Sequence, residues 1–139
     1  SDLSYEALKV TFKNMIRNSL DVSLVNSNWS SAFKNEYFDV IVSNPPYINP
    51  SDPRVYSDGL KFEPKQALIS DSEGLYDIET IVKETSEILN NAGYLFIEHG
   101  YDQSDLVVSI FETYGFSQIR TFKDLNGDDR VCLGMLNRC

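Results

Sequence analysis

Apolar residues recur at two different spacings along this chain, and the switches between them mark out its elements. Leu8, Phe12, Met15 and Ile16 share one face of a helix that Ser4 can cap and that runs to about Asn18. Residues 22–25 predict a short strand, ended by the polar cluster Asn26-Ser27-Asn28. Residues 38–42 are apolar nearly throughout, the pattern of a strand buried on both faces as in a parallel sheet. Helical spacing returns with Leu75, Ile78, Ile81, Val82, Ile88 and Leu89, predicting a helix over 75–90 that Asn91-Ala92-Gly93 closes. Residues 94–98 then predict a second buried strand. Leu106, Val107, Ile110 and Phe111 predict a helix over 105–114 that Gly115 stops, and residues 119–122 and 131–136 predict strands around the turn Asn126-Gly127-Asp128. Helix and strand alternate throughout. The fold class is α/β, with a mostly parallel sheet that ends in an antiparallel hairpin, in one domain over residues 1–139.

The stretch from the third of these elements, the strand 38–42, to the fourth, the helix 75–90, carries the chemistry. FDVIVSNPPYI, Phe38 to Ile48, drives an apolar strand into Asn44-Pro45-Pro46-Tyr47. A loop over 48–71 follows, broken by Pro50, Pro53, Gly59 and Pro64, and loops longer than about 12–15 residues are mostly functional. In open α/β sheets the ligand site lies beyond the carboxyl ends of the strands, which is where Asn44 falls. Each proline fixes its own φ, lacks an N–H and holds the residue before it extended. The Asn44 side chain offers an acceptor oxygen and two donor protons. Beside the stiff Pro45 carbonyl, that oxygen makes a two-acceptor grip for a substrate –NH2, orienting the nitrogen and favouring the charge it gains on attack. Tyr47 supplies a flat wall over a planar amide or base. The plainer reading is punctuation, in which the prolines turn a finished strand and Tyr47 covers the core edge; placement after a buried strand and before a long loop favours function.

Composition narrows the field. With 139 residues, 42% hydrophobic and 12% aromatic, the chain suits one globular domain. Twenty-one acidic residues against twelve basic ones leave a net charge of −9, which counts against gripping a nucleic-acid backbone. No apolar run approaches the roughly 18 residues of a membrane span, and the N-terminus lacks a signal core, so a soluble cytoplasmic protein is expected. Cys132 lies in an apolar run and is expected in the core, with Cys139 a tail thiol. Asp52, Asp58, Asp71, Asp128 and Asp129 are scattered without metal-ligand spacing and read as solvated loop charges, so no metal is expected.

Asp2-Leu3-Ser4, Asn28-Trp29, FDVIVSNPPYI, Phe62-Glu63-Pro64 leading to Ala67-Leu68, Gly74-Leu75, Glu98-His99-Gly100, and Asp124-Leu125 before Arg130-Val131 resemble the C-terminal portion of HemK-type methyltransferases. The resemblance covers essentially the whole chain. NPPY alone is shared with many amino-methylating enzymes, including adenine methyltransferases, whereas the other segments narrow it. It implies a class I, Rossmann-like methyltransferase fold, S-adenosylmethionine as cofactor, and methylation of the glutamine side-chain amide in the Gly-Gly-Gln motif of peptide chain release factors. It further implies that Asp2 holds the ribose hydroxyls and that Asn28 and Trp29 lie near the adenine. Asn44 and Pro45 would act as the catalytic pair, with Pro46 and Tyr47 completing the substrate contact; Asn44 is counted with the cofactor residues as well. Glu63 falls in a loop near the substrate entrance or is simply a solvated acid. His99 follows a buried strand, yet a sulfonium donor needs no base once the nitrogen is oriented, so a structural histidine is expected.

Two departures from the family pattern stand out. An asparagine, Asn28, occupies the position of an acid, although its amide oxygen can still accept from an adenine amino group. The glycine-rich loop that approaches the methionine part of the cofactor has no counterpart, since no G-x-G segment occurs in the chain. The chain is therefore expected to be a domain truncated at its N-terminus, beginning near the end of the second strand. That leaves the N-terminal third displaced or held by a second copy. Two rivals remain at this level: methylation of an adenine amino group in DNA or RNA, which uses the same grip on a flipped base, and a non-catalytic fragment or oligomeric module.

Overall fold

The computed structural model describes residues 1–33, 38–56 and 59–138, so the expectations for Asp58 and Cys139 fall outside it. The chain forms two compact units, Ser1–Glu36 and Tyr37–Cys139.

The first unit is built on helix α1, Tyr5–Arg17. Ser4 takes an extended backbone and its Oγ accepts from the Ala7 N–H at 3.2 Å, satisfying one of the unpaired donors of the first turn. Glu6 in the first turn and Arg17 in the last complement the helix dipole. Of its apolar stripe only Leu8 is buried; Phe12 and Ile16 are exposed. Residues 22–25 do not form the expected strand. A single parallel bridge, Asp2 to Asn26, is made there by Asp2 N–H to the Val25 carbonyl at 3.1 Å and Ser27 N–H to the Asp2 carbonyl at 3.2 Å. With one residue opposite them, residues 22–25 have no ladder to extend, and Val22 stays exposed.

The second unit holds a four-stranded sheet in the order β1-β2-β4-β3. Strand β1 is Phe38–Ser43, β2 is Leu89–Glu98, β3 is Phe116–Lys123 and β4 is Asp129–Leu136. The sheet is mixed: β1 runs parallel to β2, whereas β4 is antiparallel to both β2 and β3. Among the described residues between β1 and β2 lie three 3-10 turns, the left-handed turn α2 (Asp71–Gly74) and helix α3 (Tyr76–Ile88); helix α4 (Ser104–Thr113) follows β2. The long loop after β1 is closed at its base, because Ile48 N–H donates to Leu68 O at 2.9 Å and Ser70 N–H returns to Ile48 O at 3.0 Å. Its length therefore costs little order at the ends.

The core forms where the apolar stripe of α3 (Ile78, Ile81, Val82, Ile88) and Val107 and Phe111 of α4 meet Leu95 and Ile97 of β2 and Cys132 and Leu136 of β4. Phe111 and Phe116 pack tilted with ring centroids 5.0 Å apart. Gly134 is required here, since the Phe111 ring occupies the place of any Cβ. Cys132 is fully buried as expected, and burial pushes its thiol up to about 12, leaving it inert.

Two boundaries differ from the periodicity. Helix α3 ends at Ile88, and Asn91-Ala92-Gly93 lie inside β2 rather than closing a helix. The register with β1 slips between Phe38 and Val40, and Ala92 takes φ 63, so the residues that resemble a helix stop form an irregularity in a strand. Strand β1 is not buried on both faces: it pairs only with β2 among the described residues, and Val40 and Val42 are 53% and 74% exposed.

Candidate active site

Parallel pairing places the carboxyl ends of β1 and β2 at one edge, with Ser43 beside Ile97. Asn44 therefore leaves the sheet next to Glu98-His99-Gly100. Asn44 is exposed, Pro45 and Pro46 are buried, and Tyr47 is half-buried. Every peptide bond described here is trans. The four residues border an open cavity of about 660 Å³ whose other walls include Asp52, Glu73, Asp102, Gln103, Leu106 and Arg130. Asn44, Pro45, Pro46 and Tyr47 are thus brought together.

Tyr47 is committed at both ends. Its hydroxyl donates to Glu98 Oε1 at 2.8 Å, and its carbonyl accepts from Gln103 Nε2 at 3.0 Å. Burial pushes the phenol above its ordinary value; the hydrogen bond to Glu98 and the charge of that carboxylate add to the effect, while Arg130 pulls the other way. Tyr47 is accordingly a neutral wall at physiological pH. Arg130 is held by Asp124, with Nε and Nη2 at 3.2 and 3.1 Å from Oδ2, and its Nη1 donates to the His99 carbonyl at 3.2 Å. Asp124 Oδ1 accepts from the Asn126 and Asp128 N–H groups, capping the β3–β4 turn. Burial opposes the Asp124 charge, but those two backbone donors and the Arg130 guanidinium outweigh it and hold the carboxyl below the usual aspartate value. The family-like pair Asp124 and Arg130 thus braces the site's floor from the hairpin.

Gly74 supplies the closest approach. Its φ is 86, and a Cβ there would run into the Tyr47 carbonyl. The two residues before it, Ser72 and Glu73, are left-handed as well, at φ 54 and 59. His99 is buried; its Nδ1 lies 2.8 Å from the Gly100 carbonyl, its backbone N–H donates to Arg130 O, and it does not line the cavity, in keeping with a structural role. Its Nε2 has no hydrogen-bond partner among the described residues. Glu63 is exposed and is not among the lining residues. Asp52, expected to be a solvated loop charge, lines the cavity instead, while Asp129 pairs with Lys123 at 3.2 Å. Among the described residues no group of three or more acidic, histidine or cysteine side chains could hold a metal, and no helix is long and apolar enough to cross a membrane.

The residues expected at a cofactor are divided between the units. In the first unit, the Asp2–Asn26 bridge sets Asp2 against the segment that leads into Asn28 and Trp29. Asp2 is exposed, with Oδ1 accepting from Ser4 N–H at 2.7 Å; Asn28 is exposed, and Trp29 is half-buried with φ 45. Asn44 belongs to the second unit. Sequence reasoning gave no role to Gln103, Glu98, Gly74 or Arg130. Glu98 could have been found by the same rule that singled out Asn44, since it ends a predicted buried strand; Gln103 leaves no such signal.

Residues 1–58 match the family model "Methyltransferase small domain". The release factor glutamine methyltransferase of Buchnera aphidicola subsp. Schizaphis graminum is 43% identical over 134 residues, covering 96% of this chain and 48% of that protein. The enzyme of the same name from Pseudomonas aeruginosa is 41% identical, covering 93% of this chain and 47% of its own length. A crystal structure of a methyltransferase from Pyrococcus furiosus shares the fold at a TM-score of 0.71 and 17% identity, covering 97% of this chain and 60% of that one. The chain spans about half the length of the curated relatives it matches. The chain thus has a methyltransferase fold and, over nearly its whole length, is similar to about half of each of these release factor glutamine methyltransferases.

Proposed function

We propose that the protein carries out methyl transfer from S-adenosylmethionine to the side-chain amide nitrogen of the glutamine in the Gly-Gly-Gln motif of a peptide chain release factor, with residues 1–139 forming part of the catalytic domain. One observation carries the reading: Asn44 and Pro45 stand at the carboxyl edge of β1, stiffened by the second proline, at the border of a cavity of about 660 Å³. The names of the relatives support the choice of glutamine and release factor. Translation takes place in the cytoplasm, the compartment proposed with it.

In this reading the Asn44 side-chain oxygen and the Pro45 carbonyl accept the two protons of the substrate –NH2. Both acceptors gain strength as the nitrogen becomes positive, so they favour the transition state over the bound amide. Tyr47 covers the planar amide, and Pro46 holds the grip rigid. S-adenosylmethionine, when bound, supplies an electrophilic methyl on a sulfonium. The residues available to hold it suit its groups: the exposed Asp2 carboxylate accepts from ribose hydroxyls, the Asn28 amide oxygen accepts from the adenine amino group, and the Trp29 ring offers a flat face. The amide proton can leave to water after transfer, so neither His99 nor Tyr47 is needed as a base.

The test is transfer of tritiated methyl from S-adenosylmethionine to release factor, with a release factor whose motif glutamine is replaced by alanine as the control. Label in the first and none in the second is expected. Equal label in both would overturn the choice of glutamine.

A further inference from the structure

We infer that Gln103 is a positioning residue for the substrate grip: its carboxamide ties the segment after β1 to the left-handed turn Ser72-Glu73-Gly74 and to the exit of β2. The consequence for turnover rests on the methyl-transfer reading above; the tie itself does not.

A carboxamide has two donor protons and an acceptor oxygen, and here each has a partner on a different segment. Nε2 donates to Tyr47 O at 3.0 Å and to Glu73 O at 3.1 Å, and Oε1 accepts from Gly100 N–H at 2.7 Å. The residue is 7% exposed, so these bonds are shielded from water. Its location makes the arrangement informative. Gln103 is the N-cap of α4, where a polar side chain ordinarily turns back onto the helix's own first N–H groups. Its side chain makes no capping bond, while its backbone carbonyl still accepts from Val107 N–H at 3.0 Å. The helix therefore fixes the base of the side chain and leaves the amide to the site.

Both segments that it holds need holding. Tyr47 follows two residues with no N–H, so the chain there has few backbone donors of its own. Ser72 and Glu73 sit at φ 54 and 59, conformations that persist only where surrounding contacts over-determine them. Gly74 then passes directly beneath the Tyr47 carbonyl. A single side chain thus sets the height of the Tyr47 carbonyl over this turn, and Asn44 and Pro45 are three and two residues away along a stiff backbone.

Gln103→Met keeps the length of the side chain and removes its donors and acceptor. Hydrogen exchange should become about tenfold faster or more in segments 47–49 and 72–75, with β2 and α3 unchanged. Methyl transfer to a glutamine substrate should fall in kcat by between about tenfold and a hundredfold, with KM for the donor held within about twofold. Gln103→Glu points a carboxylate at two carbonyls; its kcat should be lower still near neutral pH and recover as pH falls, above the ordinary carboxyl range because burial and the two facing carbonyls favour the protonated form, which donates one of the lost bonds. Exchange that is unchanged in 47–49, or faster uniformly across β2 and α3, would overturn the tie. Loosened segments with unchanged kcat would overturn the positioning role. If the exchange pattern appears while the unsubstituted protein labels no glutamine, the tie stands and the glutamine-methylation reading falls.

Discussion

At the scale of single residues, the Asn44–Tyr47 segment divides into parts that are free to act and parts that are not. Tyr47 has its hydroxyl on Glu98 and its carbonyl on Gln103, whereas Asn44 is exposed at the border of the cavity. Removing the Asn44 carboxamide should therefore affect reaction more than folding. Asn44→Ala is expected to lower turnover about a hundredfold, on the order of 3 kcal/mol of transition-state stabilisation, with donor affinity nearly intact. Asn44→Asp keeps an acceptor, adds a charge and should retain partial activity. Turnover, donor binding and melting temperature measured on the same preparations separate this from mere punctuation, which predicts near-normal turnover and some lost stability. The candidate grip was legible in the sequence because it is local: a strand end followed by an amide, two prolines and a tyrosine. Its supports were not, because Gln103 reaches Tyr47 across 56 positions and Glu98 reaches it across 51. No spacing rule connects residues that meet only after the sheet has formed.

At the scale of elements, periodicity predicted the three longer helices and the final hairpin because spacing reports which residues share a face, a face that α3 and α4 bury and of which α1 buries only Leu8. It misread residues 22–25, where β-branched residues meet a single backbone rung, and it misread β1, whose two apolar faces describe what the strand can be covered by rather than what pairs with it here. It also took Asn91-Ala92-Gly93 for a helix stop. The same turn-forming residues serve an irregular strand, since both settings need backbone that leaves the regular regions. Positive φ separates two substitutions that composition treats alike. Ala92 at φ 63 carries a Cβ in a left-handed conformation, so Ala92→Gly should stabilise the fold by about 0.5–1 kcal/mol. Gly74→Ala should do the reverse, costing more than about 1 kcal/mol, because its φ is 86 and its Cβ would meet the Tyr47 carbonyl. Thermal melts of the two variants give the signs directly; a Gly74→Ala protein as stable as the parent would mean that α2 and the segment after β1 can separate freely.

At the scale of the whole molecule, charge is what favours a polypeptide over a nucleic acid as the proposed substrate. The net charge is −9, and three carboxylates, Asp52, Glu73 and Asp102, line the cavity. The lining arginine, Arg130, already has its guanidinium on Asp124 and the His99 carbonyl. Binding of a duplex is driven largely by counterions released when lysines and arginines neutralise phosphates, and this surface has little to release them with. Affinity for duplex DNA is expected to be weaker than about 10⁻⁴ M, the weak end of ordinary nonspecific binding, with little change between low and moderate salt. Fluorescence anisotropy of a labelled duplex at two salt concentrations measures both quantities. A tighter complex that weakens steeply with salt would reveal a phosphate-binding surface and bring back the adenine reading, because Asn44, Pro45 and Tyr47 would grip an exocyclic amino group of a flipped base as readily as a glutamine amide. The proposed grip would recognise an –NH2 on a planar group, and the field around it would select the polymer that carries one.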